Sequence, residues 1–126
     1  MSDGKTDAKR GVKFDQEKVQ YHYMSPIAID KLNKVLSFGA RKYSAHNWRG
    51  GIAWSRVIGA AFRHIFSWLN GETNDPETGL NHLAHAMCCL MFLLEFEETH
   101  PELDDRYKRE DDLTKMFNDL QERDKK

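Results

Sequence analysis

The sequence predicts an all-α fold, a bundle of three to four main helices without a substantial sheet. Three stretches repeat apolar residues at the three- and four-residue spacing of an amphipathic helix, and no stretch makes a convincing strand. Capping signals bound these stretches: Ser25-Pro26 opens the first, Asn70-Gly71 ends the second and His100-Pro101 ends the third. With 126 residues, of which 40% are apolar, the chain has the length and composition of one domain with its own core.

The apolar spacing places the first helix over residues 26 to about 43 and the second from about residue 54 or 55 to 69. The third is predicted from residue 78 or 79 to about 98. The third helix is apolar almost all round, which predicts that it lies at the centre of the bundle or in a subunit interface. Gly39 interrupts the first helix at a cost of ~1 kcal/mol relative to Ala. It therefore indicates a bend in this helix or a close approach to its backbone.

The two ends of the chain differ in composition from the middle. Residues 1–11 are polar and lack periodicity, so we expect a flexible N-terminal arm. Residues 12–100 are predicted to form the all-α domain, and residues 101–126 a charged C-terminal helical extension. The apolar face of the last predicted helix, over 111–123, is weak, so we expect it to fray or to pack on a partner subunit.

The charge of the chain is nearly balanced, with 19 basic and 20 acidic residues. A surface for duplex nucleic acid is usually strongly basic, so we do not expect one. The longest apolar run, residues 84–94, is shorter than the ~20 residues that span a bilayer, and residues 1–11 lack a signal-peptide pattern. Cys88 and Cys89 point about 100° apart on a helix and cannot bridge each other. These features predict a cytoplasmic protein whose cysteines are buried in a reducing compartment.

The region around the second interhelix loop concentrates groups that bind metal ions. Three imidazoles and three carboxylates lie close together in the sequence, at His64, Glu72, Asp75, Glu77, His82 and His85. His82 and His85 are three residues apart on one predicted helix and therefore share a face. Carboxylate oxygens suit Mg²⁺, and a mixture of carboxylate and imidazole also suits Mn²⁺, Co²⁺ or Zn²⁺. The pattern predicts a divalent-metal site; the structural alternative is a solvated acidic turn that only caps helices.

Basic and aromatic residues near the first interhelix loop form a second pattern. Lys42, Arg49 and Arg63 are candidates for binding phosphate, because guanidinium and ammonium groups pair with phosphate oxygens. Arg63 lies in a largely apolar helix, so it must either pair with a carboxylate of the acidic turn or meet an anion. Asn47 and Trp48 are candidates for a base pocket, although Trp48 also suits a plug at the end of the bundle. Metal, phosphate and base groups together indicate a nucleotide-cleaving site.

Two long runs match an ordered set of motifs: F-G-A-R-K-Y-S-A-H-N-W-R-G-G at 38–51 and F-R-H-I-F-S-W-L-N-G-E-T-N-D-P-E-T-G-L-N-H-L-A-H-A at 62–86. With Lys13 and Asp15 near the start, the chain resembles the phage-associated family of dATP/dGTP diphosphohydrolases over residues 12–96. The resemblance implies a MazG-like, all-α pyrophosphohydrolase that uses Mg²⁺, with Mn²⁺ or Co²⁺ as alternatives. It would convert a purine deoxynucleoside triphosphate to its monophosphate and pyrophosphate, adjusting the nucleotide pool of a phage in the host cytoplasm.

The combined hypothesis is a metal-dependent pyrophosphohydrolase that acts as a homo-oligomer, a dimer or a tetramer. The predicted catalytic residues are Glu72, Asp75, His64 and His82. The predicted metal ligands are Glu72, Asp75, Glu77, His82 and His85. The predicted substrate contacts are Lys42, Asn47, Trp48, Arg49 and Arg63.

MazG-type sites usually carry an E-x-x-E pair before an E-x-x-D pair, and only Glu72-x-x-Asp75 is present here. Histidines are expected to replace the missing acids, or Asp15, Glu95 and Glu98 to complete the set. Two other functions stay open. One is a phosphohydrolase that uses a metal held by His and Asp to release the whole triphosphate. The other is a nucleotide-binding module without catalysis.

Overall fold

Four α-helices make up most of the chain in a computed structural model that describes residues 10–107 and 111–125. Their bounds are α1 Pro26–Lys42, α2 Trp54–Leu69, α3 His82–Thr99 and α4 Asp111–Asp124. Within the described ranges the only strand-like pairing is an isolated antiparallel bridge, which confirms the predicted all-α class. Of the predicted flexible arm, residues 1–9 lie outside the described residues.

The helix starts follow from local hydrogen bonding. The Ser25 side chain accepts a hydrogen bond from Ala28 N–H at 3.1 Å and opens α1 as predicted. The third helix begins at His82, so the predicted start at residue 78 or 79 is wrong. Asn81 caps it by accepting from Leu83 N–H at 2.7 Å, and the residues before it are held in a loop by their own backbone bonds.

The central helix is α3, which packs against both α1 and α2. Of the two predicted locations, the centre of the bundle and a subunit interface, this contact pattern confirms the centre of the bundle. One buried cluster joins α1 to α3 and consists of Leu32, Val35, Ala84 and Cys88. A second joins the start of α2 to the later part of α3 and consists of Trp54, Val57 and Phe96. A cleft is left between the C-terminal half of α1 and the facing sides of α2 and α3.

The segment after α3 folds back onto the start of α2. Leu103 packs against the cluster around Trp54, and the Arg106 guanidinium lies 5.1 Å from the centre of a Trp54 ring. An Asp105 carboxylate oxygen accepts from Ser55 N–H at 2.8 Å, next to the positive end of α2. The described residues that follow α3 therefore stabilise α2 from outside it.

The predicted bend or close approach at Gly39 is not found among the described residues. The helix α1 continues through Gly39, and a Cβ placed there would meet no atom within 4 Å. Gly39 instead lines the cleft. In α4, Met116, Phe117 and Leu120 are exposed. None of the helices in the described ranges is long and apolar enough to cross a membrane.

Candidate functional site

The loop between α2 and α3 is folded tightly by its own backbone. Asp75 N–H donates to the Leu80 carbonyl at 2.8 Å, and the His82 N–H donates to the Thr73 carbonyl at 3.0 Å. Gly79 adopts a positive φ of 73°, which turns the chain back towards α3. These contacts hold the Asp75 carboxylate beside the first turn of α3.

Two imidazoles and one carboxylate converge at this point. The Nδ1 atoms of His64 and His82 lie 2.9 Å apart, and His64 Nδ1 lies 3.9 Å from an Asp75 carboxylate oxygen. One nitrogen or oxygen of each of the three residues lies within 4.8 Å of the others. Metal–ligand bonds to such atoms are about 2.0–2.2 Å, so small side-chain rotations would let the three share one ion. His64, Asp75 and His82 are named the ligand trio below.

Glu72 contacts the trio through His82 alone. Its Oε1 lies 2.7 Å from His82 Nε2, on the side of the ring away from His64. An ionised carboxylate can only accept a hydrogen bond, so His82 Nε2 is the donor to Glu72. In the neutral ring the lone pair is then on Nδ1, which accepts from His64 Nδ1 when no metal is bound. Glu72 was predicted as a ligand, and it stands where a carboxylate orients a ligating histidine.

His85 lies at the edge of the trio. Its ring stacks on the His64 ring, with centroids 4.5 Å apart and an angle of 7° between the planes. Its Nε2 lies 2.8 Å from Thr78 Oγ1 and 4.0 Å from an Asp75 carboxylate oxygen. Burial lowers the pKa of both His64 and His85 below 6.5, although Asp75 opposes the shift in each. Both rings are therefore neutral near pH 7, with a lone pair available for a metal or a proton.

The predicted ligand Glu77 lies outside the trio. Its side chain is exposed, and its backbone N–H donates to Asp75 Oδ1 at 2.8 Å. This bond occupies one carboxylate oxygen of Asp75 and leaves the other facing the histidines.

A cavity of about 940 Å³ opens beside the trio, in the cleft between α1, α2 and α3. His64, Asp75 and His85 line it, whereas Glu72 and His82 are not among its lining residues. The predicted substrate contacts all line this cavity, namely Lys42, Asn47, Trp48, Arg49 and Arg63. The structure therefore brings the two groups of residues predicted from sequence into one space.

The two arginines of the cavity have different surroundings. Arg49 donates from one terminal nitrogen to both Glu95 carboxylate oxygens, at 2.7 and 2.6 Å, and from Nε to His46 Nδ1 at 2.9 Å. Arg63 has no salt bridge to any carboxylate in the described part of the chain, so the predicted pairing with the acidic turn is not found there. Arg63 adjoins His64 on α2 and lines the cavity, but it is exposed, so the predicted need for a carboxylate or an anion to compensate a buried charge does not arise.

Trp48 belongs to the core and to the cavity at once. Its ring stacks on Phe92 with centroids 4.3 Å apart and planes 12° apart, and the Arg49 guanidinium lies 4.5 Å from its ring centre. Trp48 therefore packs against the core, as the structural alternative for this residue predicted, and it also lines the cavity.

Glu95 enters the cavity in a role that the sequence pattern did not predict. The sequence made it a candidate to complete the metal ligands, yet it pairs with Arg49. Asp15 and Glu98, which were candidates for the same role, do not line the cavity. The available signal was a carboxylate within the apolar run of α3, since an acid in such a run needs a partner.

Comparison with known proteins identifies the family. The family model described as "dATP/dGTP diphosphohydrolase, N-terminal" matches residues 8–106, which include the trio and the cavity. The chain belongs to this family. A similar protein of Salmonella phage PMBT28, named dATP/dGTP diphosphohydrolase, is 36% identical over 96 residues. The match covers 76% of this chain and 33% of that relative, so this dATP/dGTP diphosphohydrolase-family chain spans about a third of the relative's length. No solved structure matches the chain.

Proposed function

We propose that this chain hydrolyses dATP and dGTP to the monophosphate and pyrophosphate in a metal-dependent reaction. The observation that carries the proposal is the ligand trio, two members of which line a 940 Å³ cavity, in a chain of the dATP/dGTP diphosphohydrolase family. A cavity of this size falls within the range of small-molecule sites, about 300–1,000 Å³. The name of the phage relative supports purine deoxynucleotides as the substrates.

The donor set supports a transition metal. Two imidazole nitrogens and one carboxylate oxygen suit Mn²⁺, Co²⁺ or Zn²⁺, whereas Mg²⁺ prefers oxygen ligands alone. The sequence pattern placed Mg²⁺ first, and the trio favours Mn²⁺ or Co²⁺ over it. Bound there, the ion would neutralise phosphate charge and lower the pKa of a bound water. Glu72 would fix His82 in the tautomer that ligates through Nδ1.

The remaining groups of the cavity supply binding and proton transfer. Arg63 and Lys42 would bind the triphosphate, since both are cationic and line the cavity. In the reaction, a water oxygen bonds to the α-phosphorus while the bond from that phosphorus to the oxygen bridging to the β-phosphate breaks. Pyrophosphate leaves with that oxygen. His85 would accept the proton of the attacking water, because it lines the cavity and lies outside the trio.

The second candidate is release of the whole triphosphate. A trio of two histidines and one aspartate is compatible with this reaction, for which the sequence hypothesis is a metal held by His and Asp. It breaks the ester bond between the sugar and the α-phosphate and yields nucleoside and triphosphate. The two reactions differ only in which bond is cleaved, so the products distinguish them.

The test is product analysis by ion-exchange chromatography, with each dNTP and NTP offered in Mn²⁺, Co²⁺ or Mg²⁺. Monophosphate and pyrophosphate from dATP and dGTP, lost in Asp75→Asn and His64→Ala, would support the proposal. Asp30→Asn is the matched control, because Asp30 is an exposed carboxylate that pairs with Lys34 on α1. Nucleoside and triphosphate would establish the second candidate. Nucleotide binding without turnover in the presence of any of these metals would contradict both reactions and would support a nucleotide-binding module without catalysis.

We also propose that the chain forms a homo-oligomer. One face of α2 and one face of α3 expose large apolar side chains at helical spacing, namely Phe62, Phe66, Leu69, Leu83, Leu90 and Leu94. On α2 this apolar face lies opposite His64, which lines the cavity, and Arg63 lies between the two, three residues before Phe66. A second copy of the chain fits this apolar face, because the net charge of −1 gives little repulsion between copies.

A further inference from the structure

The Arg49–Glu95 pair lies in the same cavity as the ligand trio but at a distance from it. His85 and Glu95 are both on α3 and both line the cavity. Ten residues separate them, which corresponds to about 15 Å along the helix axis. An extended nucleotide spans less than this from its α-phosphate to the far edge of its base, so a base bound with its phosphates at the trio extends towards the Glu95 end of the cavity.

The pair is poorly suited to bind phosphate. The Arg49 guanidinium is held by both oxygens of the Glu95 carboxylate, which compensates its charge and would itself repel an anion. Arg63 adjoins His64 and has no such partner among the described carboxylates, so it is the better phosphate ligand. The sequence pattern placed Arg49 among the phosphate contacts, and its surroundings suit a neutral, polar group instead.

The pair presents a donor and an acceptor side by side. Arg49 uses one terminal nitrogen for Glu95 and Nε for His46, and no described residue accepts from its second terminal nitrogen. Each Glu95 oxygen can accept a further hydrogen bond. The Arg49 guanidinium also lies over the Trp48 ring, which limits its movement. A rigid donor beside an acceptor is what recognition of a base edge requires.

We infer that Arg49 and Glu95 together read the purine edge that carries N7 and the substituent at position 6. Adenine offers an N7 acceptor and an amino donor on this edge, whereas guanine offers two acceptors, N7 and O6. Arg49 donates to N7 of either purine. The adenine amino group donates to Glu95, and the guanine O6 accepts from Arg49. Pyrimidines have no N7, so this one pair accepts both purines and rejects pyrimidines. The inference rests on the proposed function.

The first test needs no mutation. We would measure kcat/KM for pyrophosphate release from dATP, dGTP and their 7-deaza analogues, in which a C–H replaces the N7 acceptor. Loss of a well-placed base contact lowers kcat/KM about tenfold or more, so both analogues should fall by that factor. In Arg49→Met the parent nucleotides and their analogues should become equal, because methionine has no N–H to donate to N7.

The second test changes the acceptor. Glu95→Gln should lower kcat/KM for dATP more than for dGTP, reducing the ratio of the two about tenfold. Glu98→Gln is the matched control, because Glu98 is an exposed glutamate of the same helix that does not line the cavity. The ratio of kcat/KM for dATP to kcat/KM for dGTP in Glu98→Gln should equal that of the wild type.

The outcomes separate the inference from the function on which it rests. If the wild-type chain cleaves neither purine nucleotide in Mn²⁺ or Co²⁺, the proposed function and the inference both fail. If it cleaves both, but the 7-deaza analogues react as fast as their parents, the function stands and the base assignment is overturned. A Glu95→Gln variant with the wild-type ratio would overturn the assignment of the acceptor in the same way.

Discussion

At the scale of single residues, the position of Glu72 decides how the site is built. It contacts the nitrogen of His82 that points away from the trio, and its side chain is half exposed. A ligand would have to face His64 and Asp75, which Glu72 does not. A carboxylate in this position fixes the tautomer of the histidine and increases its basicity, so its contribution passes through His82.

Replacing Glu72 should therefore weaken metal binding without abolishing it. We expect Glu72→Ala to reduce Mn²⁺ affinity by about 10–100-fold, as for other partners of ligating histidines. Glu72→Gln should retain most of the affinity, because its amide oxygen still accepts from His82 Nε2. Isothermal titration calorimetry measures both. Equal and complete loss in the two variants would show that Glu72 is itself a ligand.

The structure brings together predicted site residues that are close in the sequence. His64, Asp75 and His82 were selected as functional because imidazoles and carboxylates cluster within 22 residues of sequence. The pairing of Arg49 with Glu95 joins residues 46 positions apart, and only the packing of the first loop on α3 brings them together. Asp75 belongs to the trio, whereas Glu72 contacts only the outer nitrogen of His82. This difference depends on the direction of the side chains, which sequence spacing alone does not determine.

At the scale of secondary structure elements, the residues of the connections determine where each helix begins and ends. The bounds of α1 and α2 lie within a residue of those predicted, because Ser25-Pro26 and Asn70-Gly71 are strong local signals. The start of α3 was wrong by three or four residues. The residues before it have turn and cap chemistry as well: Thr78 Oγ1 accepts from Leu80 N–H at 3.2 Å and lies 2.8 Å from His85 Nε2, within the loop rather than at the start of a helix.

The loop before α2 depends on a glycine. Gly51 has a φ of +100°, and a Cβ there would lie 2.6 Å from Leu103 Cδ1. We expect Gly51→Ala to destabilise the fold by about 2 kcal/mol or more, from backbone strain and crowding together. Urea denaturation would measure the change.

Gly39→Ala is the matched control for this substitution. It adds the same methyl group within a regular helix, where no atom lies within 4 Å of the new Cβ. This variant should gain up to about 1 kcal/mol of stability, since Ala is the better helix former. A Gly51→Ala variant as stable as Gly39→Ala would contradict the account of this connection.

At the scale of the whole molecule, the three packed helices have two distinct surfaces. One holds the cavity and the trio, and the other exposes the apolar side chains of α2 and α3. Phe66 is 64% exposed and Leu94 is 68% exposed, and each is extended by other exposed apolar side chains at helical spacing into a patch of the kind that marks an interaction site. The sequence indicated this, because α3 is apolar on more sides than a three-helix core can cover.

The chain should therefore self-associate through the apolar face. We expect light scattering after size exclusion to give a mass of at least two chains, and Phe66→Glu to give a single chain. Ile27→Glu is the control, since Ile27 is an exposed apolar residue at the start of α1 and belongs to neither apolar face of α2 and α3. A monomeric wild type at tens of micromolar would contradict self-association, as would an equal loss of mass in both variants.

The central claim is that His64, Asp75 and His82 hold one divalent transition metal. The most direct measurement is a titration with Co²⁺, followed by its visible absorption, in the wild type, His64→Ala, Asp75→Asn and Asp30→Asn, each first shown by circular dichroism to be folded. We predict saturation at one Co²⁺ per chain in the wild type and in Asp30→Asn, and no saturable absorption in the two trio variants. Absence of a saturable Co²⁺ spectrum in the wild type, or an Asp75→Asn spectrum identical to it, would contradict the claim.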